Sequence, residues 1–95
     1  MNIAIVGGSP RTRVLQRMVH AGFDDAVWLP GTVSGAQKAV QLSRSGEWVA
    51  IGIITLMSHE ASYVFYDAMR AKLPAGLVKK YGISSLLREA REILS

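Results

Sequence analysis

Apolar positions along this chain follow two alternating spacings. Ile3 to Val6 is an unbroken apolar run that stops at Gly7-Gly8, the signature of a short buried strand. Val14, Leu15, Met18 and Val19 then recur at helical spacing, and Gly22 stands where that helix should stop. Ala26 to Leu29 predicts a second strand, closed by Pro30-Gly31. Ser34 is the expected cap of a second helix with Ala36, Ala39, Val40 and Leu42 on its apolar side, ending near Ser45-Gly46. Trp48 to Ile54 is continuous and rich in β-branched residues, so it predicts a strand covered on both faces and therefore central. A third helix follows, with Ala61, Val64, Phe65, Ala68, Met69 and Leu73 on its buried side and Pro74 ending it. Gly76 to Tyr81 predicts an edge strand marked by Lys79-Lys80, and Gly82-Ile83-Ser84-Ser85 opens a last helix packed through Leu86, Leu87, Ala90, Ile93 and Leu94.

Strands that alternate with helices imply a parallel sheet, because each helix returns the chain to the same starting edge. The expected architecture is a single Rossmann-like α/β domain over residues 1–95, three-layered, with a four-stranded parallel sheet in the order 2-1-3-4. In that order the crossovers after the first and third strands diverge, which predicts a ligand crevice beyond the carboxyl ends of those strands. The loops meeting there are Gly7 to Arg13, Pro30 to Ser34, Thr55 to Glu60 and Tyr81 to Ser85.

Composition narrows the function. The chain has 95 residues, 49% of them hydrophobic, enough for one compact domain, and a domain this small gains from self-association, so a homo-oligomer, most simply a homodimer, is expected. The absence of cysteine excludes disulfides, thiolate zinc sites and cysteine catalysis. The first residues read as a strand rather than a signal peptide, and the longest apolar run is too short for a bilayer, so a cytoplasmic protein with no membrane partner is expected. A net charge of +4 and a pI near 9.9 favour anions as partners. The basic residues are dispersed, without a dense run or aromatic platform, so a nucleic acid polymer is not the expected partner.

The loop residues carry the chemistry. Gly7-Gly8 lets main-chain N–H groups come close to a ligand, Pro10 suits a first helical turn, and Arg11 and Arg13 add positive charge beside a helix start. Ser9, Thr12, Thr32, Ser34, Thr55, Ser58, Ser84 and Ser85 offer hydroxyls at helix N-termini, the groups a phosphate or carboxylate needs, although such residues also serve as caps. His59 opens the third helix, where it could donate to phosphate, act as acid or base, ligate metal or haem iron, or only pack; His20, late in the first helix, reads as surface. GGSPRT lacks the third glycine of a dinucleotide fingerprint, and Leu29-Pro30-Gly31 lacks its acidic residue. No Walker lysine follows the glycines, Gly7 and Thr55 stand where a receiver domain needs carboxylates, and Asp24-Asp25 sits at the opposite edge as a solvated turn.

Three segments then carry a resemblance: VGG leading into an arginine-containing helix start, TLMSH after the central strand, and GISS before the last helix. In that order they resemble the small bacterial domain of unknown function catalogued as DUF 2325, over nearly the whole chain. The resemblance implies a Rossmann-like fold and carries over Gly7, Gly8, Arg11 or Arg13, Thr55, Ser58, His59, Gly82, Ser84 and Ser85. The chain departs from the family at Met57, where a cysteine is frequent, and at Lys80-Tyr81, where an arginine is usual. It implies no settled activity.

The expected function is non-enzymatic binding of a small anionic ligand, a nucleotide or cyclic nucleotide signal, held by Gly7, Gly8, Ser9, Arg11, Arg13, Thr55, Ser58, His59, Tyr81, Ser84 and Ser85. A sponge that removes such a signal is the extension of that reading. Trp28, Tyr63, Tyr66 or Tyr81 could stack on a base, and Tyr63, Tyr66 and Arg70 compete for use as a dimer interface. The alternatives are a haem or metal protein with His59 as ligand, a phosphoester hydrolase using His59, and a plain interaction module.

Overall fold

The apolar run at the centre of the chain becomes β3 (Trp48–Ile53), flanked by β1 (Asn2–Val6) on one side and β4 (Ala75–Val78) on the other in the computed structural model, which describes residues 1–95. β1 also pairs with β2 (Ala26–Leu29), so the sheet is parallel throughout in the order β2-β1-β3-β4. With four flanking helices this is a Rossmann-like α/β fold.

Strand alternation divides the core in two. Ile3, Ile5, Val49, Ile51 and Ile53 face α1 (Thr12–His20) and α4 (Ile83–Leu94), meeting Val14, Met18, Leu86 and Ala90. Ala4, Val6 and Ala50 face α2 (Val33–Ser43) and α3 (His59–Arg70), meeting Ala36, Ala39, Ala61, Phe65 and Ala68. The first face is built from large residues and the second chiefly from alanine, so α2 and α3 settle close to the sheet and against one another. All helices run back against the strands, which puts every helix N-terminus at the carboxyl edge of the sheet.

Several expectations change in detail. β4 ends at Val78 rather than Tyr81, because its last partner is Ile53 and β3 gives way there to a single 3₁₀ turn, Ile54–Leu56. Helix α1 begins at Thr12 after an extended Arg11, leaving Pro10 in the loop. Thr32, not Ser34, caps α2, its hydroxyl accepting from the Gly35 N–H at 3.1 Å, because the turn at Pro30-Gly31 closes sooner than the hydroxyl count implied. Three apolar residues assigned to buried faces are solvent-facing: Val19, Met69 and Leu94 are 48%, 40% and 41% exposed. Each lies on the flank of a helix that meets the sheet along one narrow line. Ser62, not expected on the buried side of α3, is buried there with its hydroxyl donating to the His59 carbonyl at 2.6 Å. The helix stops before Pro74, through Lys72 in the left-handed region with φ 60°. The N–H groups of Lys72 and Leu73 donate back to Met69 and Ala68 there, closing the last carbonyls.

Candidate ligand-binding edge

Gly7 and Gly8 follow β1 with φ of +119° and +74°, a left-handed pair that turns the chain sharply off the sheet. The Gly7 carbonyl accepts from the indole Nε1 of buried Trp28 at 2.7 Å, and its N–H donates to Leu29 at 3.0 Å. The loop is thereby tied to β2. The 3₁₀ turn after β3 folds over it: a Cβ on Gly8 would lie 2.9 Å from Leu56 Cδ1, and one on Gly31 would lie 2.1 Å from the Leu56 carbonyl oxygen. The Gly31 carbonyl also accepts from the Ser58 N–H at 2.7 Å. The first three loops therefore meet, as the topology requires, but Leu56 and Met57 fill the junction between β1 and β3 where the crevice was expected. The surface grooves lie between α2 and α3, along α4 from Ser84, and beside α1 from Thr12.

The four helix starts divide by face. On the α2–α3 side both are capped from within, α2 by Thr32 and α3 by Ser58, whose hydroxyl accepts from the Ala61 N–H at 3.1 Å. On the α1–α4 side neither Arg11 nor Gly82 supplies a side-chain cap. The first main-chain bonds there run from Val14 to Arg11 and from Leu86 to Gly82, both at 3.0 Å. The N–H groups of Thr12, Arg13, Ile83, Ser84 and Ser85 consequently have no partner within the chain. Neither Ser84 nor Ser85 caps α4, because the cap position falls on Gly82.

A stack of side chains joins these two open helix ends. The Arg11 guanidinium lies 4.5 Å from the centre of the Tyr81 ring, and Tyr81 packs beside Trp28 with ring centres 6.2 Å apart. Arg11 enters α1 and Tyr81 enters α4, so the contact draws the first and fourth loops together. Trp28 lies beneath them, 9% exposed and in the core, so it supports Tyr81 and has no free face for a base. Charge follows the same geometry. The loops and first helical turns of this edge hold Arg11, Arg13, Lys79 and Lys80 against one carboxylate, Glu60, whereas the opposite edge holds Asp24, Asp25 and Glu47 together with Arg44 and Lys72.

The remaining expected site residues scatter around this centre. Gly8, Ser9 and Thr55 are exposed on the loop surface. Ser58 is spent on its own helix. His59 is exposed at the start of α3, its Nε2 2.9 Å from the Tyr63 hydroxyl and the two rings edge-on at 4.8 Å, so it belongs to the outer surface of α3. No three His, Cys, Asp or Glu side chains gather as a metal cluster, and no helix is long and apolar enough to cross a membrane. Leu56 and Met57 decide the shape of this edge, a role their residue types do not announce; the glycine at 31, where the backbone needs room, is the one sequence signal of it. The chain matches no family model, no curated protein and no solved structure.

Proposed function

We propose that this chain binds a small anionic ligand, in the first instance the phosphate of a nucleotide or cyclic nucleotide, at the paired open N-termini of α1 and α4. The observation that carries the reading is the contact of Arg11 with Tyr81, which draws together the two helix starts that no side-chain hydroxyl caps, whereas at α2 and α3 one N–H each is taken by Thr32 or Ser58. Unpaired N–H groups at a helix start attract anions through direct donation and the helix dipole. The free hydroxyls of Thr12, Ser84 and Ser85 add neutral donors, and Arg13, Lys79 and Lys80 add charge. The Arg11 guanidinium, held over the Tyr81 ring, offers its outer side to a base. Binding without turnover is the function proposed, and sequestering a signal nucleotide is one use of it. The DUF 2325 resemblance forms part of the same proposal, since two of its three segments, VGG with the arginine start and GISS, are these two loops.

Two helix ends and their cations, at about 1 kcal/mol for each favourable charge contact, place the affinity for a phosphate-bearing ligand near the millimolar to high micromolar range. Calorimetry with inorganic phosphate and a panel of mono-, di- and cyclic nucleotides tests this. Binding weakened about tenfold by Arg11→Ala, a change of ~1.4 kcal/mol, and unchanged by His59→Ala supports the α1–α4 location. Absence of heat with every ligand at millimolar concentration removes the proposal.

A further inference from the structure

We infer that the outer face of α3 is a self-association surface, on which a second copy of this chain packs its own α3 antiparallel. His59, Tyr63, Tyr66 and Arg70 follow one another at steps of four, three and four, which on a helix makes a single straight line. This line lies opposite Ala61, Phe65 and Ala68, the residues α3 buries against the sheet. At its middle two tyrosines are 54% and 42% exposed, flanked by Met69 at 40%. The other helices expose no aromatic residue: Arg13, Gln16, Arg17 and one apolar residue, Val19, on α1, Gln37 and Lys38 on α2, and Arg88, Arg91 and the terminal Leu94 on α4. Only α3 therefore has a second face with the seam spacing and aromatic content of a helix–helix contact.

Charge selects the occupant. Glu60 stands in the first turn of α3 and Arg70 in its last, where it pairs with Asp67. Antiparallel pairing about a two-fold axis between positions 64 and 65 sets Tyr63 opposite the second copy's Tyr66 and His59 opposite its Arg70. Each Arg70 then lies between its own Asp67 and the second copy's Glu60, and the arrangement occurs twice by symmetry. The helix dipoles oppose. Parallel pairing would instead bring like ends together, Arg70 on Arg70. A polyanion is disfavoured on this face by the carboxylates of Glu60 and Asp67 beside the tyrosines. The shallow groove between α2 and α3, about 500 Å³ and lined by Gln37, Gln41, Arg44 and Val64 among others, adjoins the seam and widens the contact beyond one helix.

Sedimentation equilibrium across a hundredfold range of concentration reads the association directly. The expected result is a mass rising from 10.3 kDa toward twice that value, and staying at that of the single chain when Tyr63→Ser and Tyr66→Glu are combined, with an unchanged circular dichroism spectrum. Because the chain has no cysteine, orientation can be read by mild oxidation of single-cysteine variants. His59→Cys mixed with Arg70→Cys should cross-link, and neither alone should. A single chain at every concentration, or an association indifferent to the tyrosine changes, overturns the surface; cross-linking of His59→Cys with itself overturns the antiparallel arrangement.

Discussion

Replacing Gly31 by alanine isolates the contact that closes the carboxyl edge of the sheet. Gly31 does not have a positive φ, so backbone strain plays no part in the substitution. Space does. The new Cβ would lie 2.1 Å from the Leu56 carbonyl oxygen and 2.9 Å from Met57 Cα, both main-chain atoms that cannot rotate away. Relief requires the 3₁₀ turn to move off the α2 loop, which stretches the 2.7 Å bond from the Ser58 N–H to the Gly31 carbonyl. Overpacking at a tight site costs about 1–3 kcal/mol, and a lost main-chain bond adds ~1 kcal/mol, so the expected loss is about 2–4 kcal/mol. That is a large share of the ~5–15 kcal/mol that holds a typical domain, and at about 4–8 °C per kcal/mol it lowers Tm by roughly 8–32 °C. Gly46→Ala is the control: its φ is +79° with nothing within 4 Å, so it carries only the left-handed backbone cost of about 1 kcal/mol. Urea unfolding at 25 °C gives both values. A loss for Gly31→Ala no greater than that for Gly46→Ala would refute the claim that the Leu56 turn is pressed onto this loop.

Three further outcomes follow from single contacts. Trp28→Phe keeps most of the core packing but takes the indole donor from the buried Gly7 carbonyl, and should cost about 1–3 kcal/mol in urea unfolding. Lys72→Gly removes a side chain from the left-handed stop of α3 and should raise stability by ~1 kcal/mol, read as a higher midpoint at unchanged slope. Glu89 has its carboxyl pushed above the ordinary range by burial against β4, where its Oε2 lies 2.6 Å from the place a Cβ on Gly76 would take, and secondarily by Glu92. Its folded form therefore holds the proton more tightly than the unfolded chain, so its contribution is full below the ordinary value of 4.5 and is lost as pH rises through the raised value. Glu89→Gln should accordingly gain stability at pH 7 relative to the parent and show a smaller fall between pH 4 and pH 7, measured by thermal melts.

Those elements whose signal is local are legible in the amino-acid sequence. The unbroken run at Trp48–Ile53 could only be a strand covered on both sides, and the alternation of strands and helices with no hairpin turn left the parallel order 2-1-3-4 as the simplest closure. The same pattern located the carboxyl edge and its four loops, because helix direction follows from the crossover. What a hydroxyl or a ring does at that edge is not written in the residue type. Thr32 and Ser58 cap their own helices, each accepting one N–H, while Ser84 and Ser85 do not, and the difference is set by where each loop lets the first helical turn begin. Trp28 reads as a stacking platform in one dimension, yet strand alternation and Gly7 turn it into a buried support. Arg11 meets Tyr81 although 69 positions separate them, a contact that exists because two crossovers end side by side. Periodicity thus determined the sheet and the edge at which the helix starts gather, since both are consequences of spacing along the chain. Which donors stay free there was decided by loops from distant parts of the chain pressing on one another, and that depends on contacts no single stretch contains.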